Sequence, residues 1–288
     1  MKLQSSYTAG FRKSYRALST VVILWALSLV GTIILVSPVQ RQFIAILGDS
    51  MITEMMYVES GFDLTTDLII PLSNAFVSFS TSFFIVGILV FLAGIFVTAG
   101  IFRVLYSRRK PFRKGLFFKG ADRGFVGYLV IALISGFVTC FLFALIVMVP
   151  LIIAFIMGAG ETGLILTAVA GLTAYAIVLP FILLVADFAR VNLVADKWES
   201  PIGSIKNGVR LLTGRLLPLW LTMFTIIIVT ALFSFLITRI VFNTEADSGL
   251  SILMLMILSQ VLLFMKVWLK VIRYGIMTAI YEEVHTDK

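Results

Sequence analysis

Residues 124–157 read GFVGYLVIALISGFVTCFLFALIVMVPLIIAFIM and contain no Asp, Glu, Lys, Arg or His. The hydrocarbon core of a bilayer is about 30 Å thick and an α-helix rises about 1.5 Å per residue, so roughly 20 apolar residues cross it. This stretch crosses with residues to spare. Working outward from it, comparable stretches recur at 19–37, 71–102, 163–188, 217–242 and 250–275. The expected fold is therefore an all-α membrane protein with six transmembrane helices in one polytopic domain, 1–288. Composition points the same way: 60% of residues are hydrophobic, 13% are charged and mean hydropathy is +1.08. A soluble domain of that make-up would expose apolar surface it could not cover. The basic start followed by the run Thr20–Val36 has the outline of a signal peptide. However, the run is long and Val36-Ser37-Pro38 is a poor cleavage site, so a retained first span is expected.

Lysine and arginine are held on the cytoplasmic side of a membrane, so their distribution sets orientation. Residues 1–18, the loop 103–123, the segment 186–216 and the tail from Lys266 together hold every basic residue except Arg41 and Arg239. The first outer loop, 38–70, is acidic, with Asp49, Glu54, Glu59, Asp63 and Asp67. Both termini are thus expected in the cytoplasm. The net charge of +8 is read as this topology signal; no nucleic-acid-binding motif accompanies it, and nucleic acid is excluded as a partner. The lone cysteine, Cys140, allows no internal disulfide.

A period of about 90–100 residues runs through the chain. Phe11-Arg12-Lys13-Ser14, Phe112-Arg113-Lys114-Gly115 and Ile205-Lys206-Asn207-Gly208 each precede an outgoing span. Each returning span reaches the cytoplasm with an arginine, at Phe102-Arg103, Ala189-Arg190 and Ile272-Arg273. The expected unit is an interfacial helix, a span, an outer loop and a returning span, giving three tandem helical hairpins in parallel orientation. The best-defined interfacial helix follows Glu199. Ser200 suits its cap and Pro201 its first position. Ile202, Ile205, Val209 and Leu212 fall on one face, with Lys206, Asn207 and Arg210 opposite, as in helices that lie in the headgroup layer.

The segment ADKWESPIGSIKNGVRLLTGRLLPLW, residues 195–220, resembles the membrane domain of bacterial glycerophosphodiester phosphodiesterases and related stand-alone six-span envelope proteins. The features that carry the resemblance are Glu199, Ser200, Pro201, Ile205, Lys206, Leu211, Leu212 and Gly214. Arg273-Tyr274 through Ala279-Ile280-Tyr281 is also similar to that family's last span. The resemblance implies a membrane domain without the phosphodiesterase, in the bacterial cytoplasmic (inner) membrane, with a role in envelope or lipid homeostasis.

Charged groups inside spans are costly and mark sites by default. Lys266, Lys270 and Arg273 follow i, i+4, i+7 spacing on one helix face near the inner interface. They either snorkel to headgroups, form a basic pocket for an anionic lipid or other ligand, or pair with Asp187. Asp187 and Arg190, one turn apart, are expected to form an ion pair with each other or across hairpins. Asn74, Ser78 and Ser82 make a polar stripe that either bonds neighbouring helices or lines a polar cavity. Enzyme signatures are missing. His285 is the sole histidine, and there is no GxSxG, HExxH or GxxxxGK[ST]. No catalytic residue, metal site or cofactor is assigned. The leading expectation is a non-enzymatic membrane protein that organises lipids through anionic headgroups on the cytoplasmic side, or that supports a membrane protein partner. The alternative is a small-solute or lipid transporter or channel. Its parallel repeats would be similar in geometry to mitochondrial carriers, although the carrier signature Pro-x-acid-x-x-base occurs at none of the 7 prolines.

Overall fold

The computed structural model describes residues 3–47, 62–107, 114–195, 200–213, 216–244 and 248–286, and every element within them is helical. In chain order these are α1 (Leu3–Arg16), α2 (Leu18–Leu47), α3 (Phe62–Tyr106), α4 (Lys114–Phe143), a π-helical turn (Ala144–Met148), α5 (Val149–Ile156), α6 (Glu161–Ala195), α7 (Pro201–Leu212), α8 (Leu216–Asn243) and α9 (Gly249–Thr286). Six stretches are long and apolar enough to cross a membrane: Leu18–Ser37, Phe83–Tyr106, Lys114–Ile156, Glu161–Ala195, Leu216–Val241 and Gly249–His285. Their outward faces carry large apolar side chains, among them Phe84, Phe137, Phe155, Leu172, Phe235 and Leu253, all exposed. Water would not tolerate so continuous an apolar surface, and lipid does. The chain is a multi-pass membrane protein.

Three boundaries differ from the sequence expectation. Helix α2 continues through position 38 to Leu47 and α3 begins at Phe62, so much of the expected outer loop 38–70 is helical. Residues 48–61 lie outside the described residues. Helix propagation adds a bond per residue once a nucleus exists, and an apolar environment offers the backbone no better partner than the next turn. The basic segment before the third span, expected as a separate interfacial helix, is instead continuous with α4 from Lys114. No proline or extended capping residue interrupts it. By contrast, Ser200-Pro201 starts α7 afresh: Ser200 is extended (φ −128°, ψ 124°) and its hydroxyl accepts from the Gly203 N–H at 3.3 Å.

The chain falls into two compact units, 1–22 with 95–288, and 23–94. In the second, α2 and α3 approach closely at Gly31, where an added Cβ would lie 2.7 Å from Val90 Cγ2. The first unit holds α1, the start of α2, the end of α3 from Ile95, and α4–α9. Here the short helices meet the spans through small residues. Gly275 of α9 faces both Gly10 and Ser14 of α1, one turn apart, so α1 lies across α9. A Cβ on Gly10 would sit 2.5 Å from Ile276 Cα. Lys13 secures the crossing with an ion pair to Glu282 at 2.7 Å, and Tyr7 hydrogen-bonds Thr222 of α8. Helix α7 meets α6 in the same manner. A Cβ on Gly208 would lie 3.1 Å from Val185 O and 3.2 Å from Ala189 N. At the start of α4, Gly120 abuts Arg103 of α3 and Phe117 fills the space over Gly100.

Two prolines shape the spans. Pro150 has no N–H for Ile146 O, and the preceding turn widens to π geometry. Gly171 of α6 then approaches that carbonyl, where a Cβ would lie 3.1 Å from Ile146 O. Pro180 lies inside α6, which runs on through it, and Ile177 O nearby accepts the Trp220 indole N–H of α8 at 3.0 Å.

Gly10→Ala is expected to destabilise the protein by about 1–3 kcal/mol through overpacking against the α9 backbone. Gly136→Ala, where nothing lies within 4 Å, should be neutral or stabilising by up to about 1 kcal/mol. Thermal unfolding of the two variants in detergent checks this, and equal melting temperatures would contradict the tight crossing.

Candidate functional site

Polar side chains of the first unit converge at one level, the end of the bundle reached by the last turns of α6 and the second half of α9. Asp187 on α6 is fully buried, with 0% of its side chain exposed. A carboxylate buried in this way persists only with charge partners. Arg190, one turn on, donates from Nη1 to Asp187 Oδ1 at 2.8 Å. Arg273 of α9 places Nε 2.9 Å from Asp187 Oδ2. That second contact is ionic only, because the Nε–H points off the line to the oxygen. Each carboxylate oxygen therefore faces one guanidinium, and the two arginine side chains are each 15% exposed. The Arg273 guanidinium also lies 5.1 Å from the Tyr274 ring centroid, within cation–π range.

Aromatic and amide groups extend the cluster. Tyr128 of α4 donates its hydroxyl to Arg190 O at 2.9 Å. Phe102 of α3 packs between the rings of Tyr274 (4.6 Å) and Tyr128 (5.9 Å). Tyr281 of α9 donates to Asn192 Oδ1 at 2.7 Å, and Asn192 Nδ2 reaches Ser204 Oγ of α7 at 3.4 Å. These groups tie α9, α6 and α7 into one polar chain, and the interior around them is filled by Tyr128, Tyr274, Tyr281, Phe102, Phe117 and Phe188, all fully buried. Within a low-dielectric interior such bonds count for more than at a surface.

The structure sorts the residues expected from sequence. Asp187 and Arg190 come together, and Arg273 joins them. Lys266 and Lys270 do not: both are exposed on α9, one to two turns before the point where α6 covers its face. The i, i+4, i+7 spacing is real, yet only Arg273 lies under the neighbouring helix. Asn74, Ser78 and Ser82 lie on α3, but their side chains are outside the described residues. Tyr128, Asn192 and Ser204 were not singled out from sequence. They carry no motif, and only the packing of α4, α6 and α7 gives them partners.

Chemically, the cluster holds one carboxylate against two guanidiniums. Each Asp187 oxygen faces a guanidinium, which suits a lock between α6 and α9. The lock carries an uncompensated positive charge, and Arg103, Lys266 and Lys270 have no ion-pair partner among the described residues.

Asp187→Asn is expected to cost about 3–5 kcal/mol, since it strands two largely buried guanidiniums. Adding Arg190→Met and Arg273→Met should recover most of that loss. Chemical unfolding of the single and triple variants reads both values; a loss below about 1 kcal/mol for Asp187→Asn would show that the cluster does not hold α6 to α9. Comparison with known protein families, with curated proteins and with solved structures returns no match.

Proposed function

We propose that the protein is a non-enzymatic membrane protein that organises anionic lipids along one leaflet and, on the same surface, supports a membrane partner. One observation carries this reading: the short helices turn their small residues toward the spans and leave large apolar side chains, flanked by arginine and lysine, facing outward. On α7, Ser204, Gly208 and Leu212 are buried while Ile202 (70% exposed) and Val209 are open, beside exposed Lys206 and Arg210. On α1, Gly10 and Ser14 are buried while Tyr7, Phe11 and Tyr15 are open, beside Arg12 and Arg16. At the start of α4, Phe117 and Ala121 are buried while Phe118 is open, beside Lys114 and Lys119.

Such a surface is stable at the boundary of acyl chains and headgroups, where apolar groups enter the hydrocarbon and cations meet phosphate. Each basic residue near an anionic leaflet contributes on the order of 1 kcal/mol. The positive-inside rule makes this the cytoplasmic leaflet, with both termini on that side. In this reading the three short segments are the interfacial parts of three tandem hairpins, the second fused to its span. The resemblance of 195–220 to bacterial envelope membrane domains supports placement in the cytoplasmic (inner) membrane. The aromatic filling of the bundle end favours an organising role over passage of a solute through it.

The protein extracted gently from membranes of mixed composition is expected to retain anionic lipid in excess over its bulk share, as counted by native mass spectrometry. Lys206→Ala/Arg210→Ala and Lys266→Ala/Lys270→Ala should each reduce that excess by roughly fivefold or more, since about 1 kcal/mol per charge is about fivefold. Bound lipid that mirrors the bulk composition in wild type and variants alike would sink the reading.

A further inference from the structure

We propose that the outward face of α1 holds an individual anionic phospholipid, its phosphate at Arg12 and an acyl chain along Tyr7, Phe11 and Tyr15. The inference rests on the lipid-organising reading above and gives it a specific seat. Tyr7, Thr8, Phe11, Arg12 and Tyr15 share the outward face of α1 and border a shallow, open space of about 540 Å³. Its lining is almost wholly apolar, and Arg12 is the one charged residue beside it.

The walls are fixed from behind. Tyr7 is held through its hydroxyl by Thr222 of α8, and Phe11 packs at 6.0 Å against Trp268 of α9. Helix α1 itself is pinned by Gly10 against Gly275 and by the Lys13–Glu282 pair. These contacts consume the inward side of α1 and leave the faces of the aromatic rings open, with Tyr7 37%, Phe11 49% and Tyr15 62% exposed. The pre-set rings lower the ordering cost of a bound chain, as a flexible surface would not.

Charge decides the occupant. Lys13 is neutralised by Glu282, whereas neighbouring Arg12 is exposed and has no ion-pair partner among the described residues. Arg16, one turn further on, is likewise exposed and without an ion-pair partner among them. An apolar groove with unpaired guanidinium at its side selects a molecule with an apolar tail and an anionic head. At the level of a bilayer interface, the molecule of that description is an anionic phospholipid. Arginine is suited to the head because its planar fork matches phosphate oxygens.

The test uses the full chain in phosphatidylcholine nanodiscs doped with a photoactivatable phosphatidylglycerol carrying its reactive group on the acyl chain. Crosslinked peptides are mapped by mass spectrometry. Wild type is expected to label within residues 7–15, and a phosphatidylcholine probe of the same design is expected to label there far less. Arg12→Gln should lower phosphatidylglycerol labelling of this peptide about fivefold, and Tyr15→Gln should shift or abolish it. Both side chains point outward, so a melting curve like that of wild type is expected to confirm folding. Equal labelling by the two probes, or labelling unaffected by Arg12→Gln, would overturn the seat and leave only contact with bulk lipid. Crosslinking of 7–15 to a second copy of the chain, undiminished by added phosphatidylglycerol, would overturn it in favour of self-association. If the purified protein still retains excess anionic lipid while 7–15 stays unlabelled, the groove fails and the general reading stands. If neither is seen, both fail.

Discussion

Hydrocarbon gives apolar helices no reason to leave lipid for one another, because a leucine is as well solvated by acyl chains as by another leucine. What holds such helices together is close backbone approach and polar groups that have no other partner. Each helix contact described above depends on one of the two. Gly10 against Ile276 and Gly208 against Ala189 bring backbones together where a Cβ would crowd them, and Gly31 makes room for the Val90 side chain. Trp220 of α8 adds a polar contact of the second kind by donating to Ile177 O of α6.

Among the described residues Asp187 is the fully buried charge, and its setting has a physical logic. A buried carboxylate is costly without charge partners, and partners that keep an exposed edge remain partly solvated. Asp187 fully buried, with Arg190 and Arg273 each 15% exposed, has that graded arrangement. The Tyr281–Asn192–Ser204 chain adds a neutral connection from α9 through α6 to α7. A rigid end of this kind gives the short helices a fixed platform. The helices in turn present outward rings, aliphatic side chains and cations.

The apolar spans were legible in the sequence because hydropathy is a property of composition along the chain, and the environment that rewards it is the lipid itself. The Ser200-Pro201 start of α7 was legible for a similar reason, since capping is decided within a few residues. The ends of α2 and α3 were not, because where a helix stops in an apolar setting depends on what surrounds it. The apolar face expected for α7, Ile202, Ile205, Val209 and Leu212, is divided in the structure, with Ile202 and Val209 exposed and Leu212 buried. In the structure the protein side is Ser204, Gly208 and Leu212. The spacing of Lys266, Lys270 and Arg273 likewise described a helix face, with no information on where a neighbour begins to cover it.

The sequence by itself determined that this is a helical, multi-pass membrane protein. Stretches of uncharged residues long enough to cross hydrocarbon have few stable alternatives in which the backbone keeps its hydrogen bonds. Only the tertiary structure decided that Asp187 is shared between Arg190 and Arg273, that Tyr128 and Tyr281 close on α6, and that α1 lies across α9 with its aromatic rings outward. Those outcomes depend on pairs of residues far apart in the chain, and a contact between helices exists only once both backbones are in place. Local pattern fixes what each helix offers; packing fixes which offer is taken up.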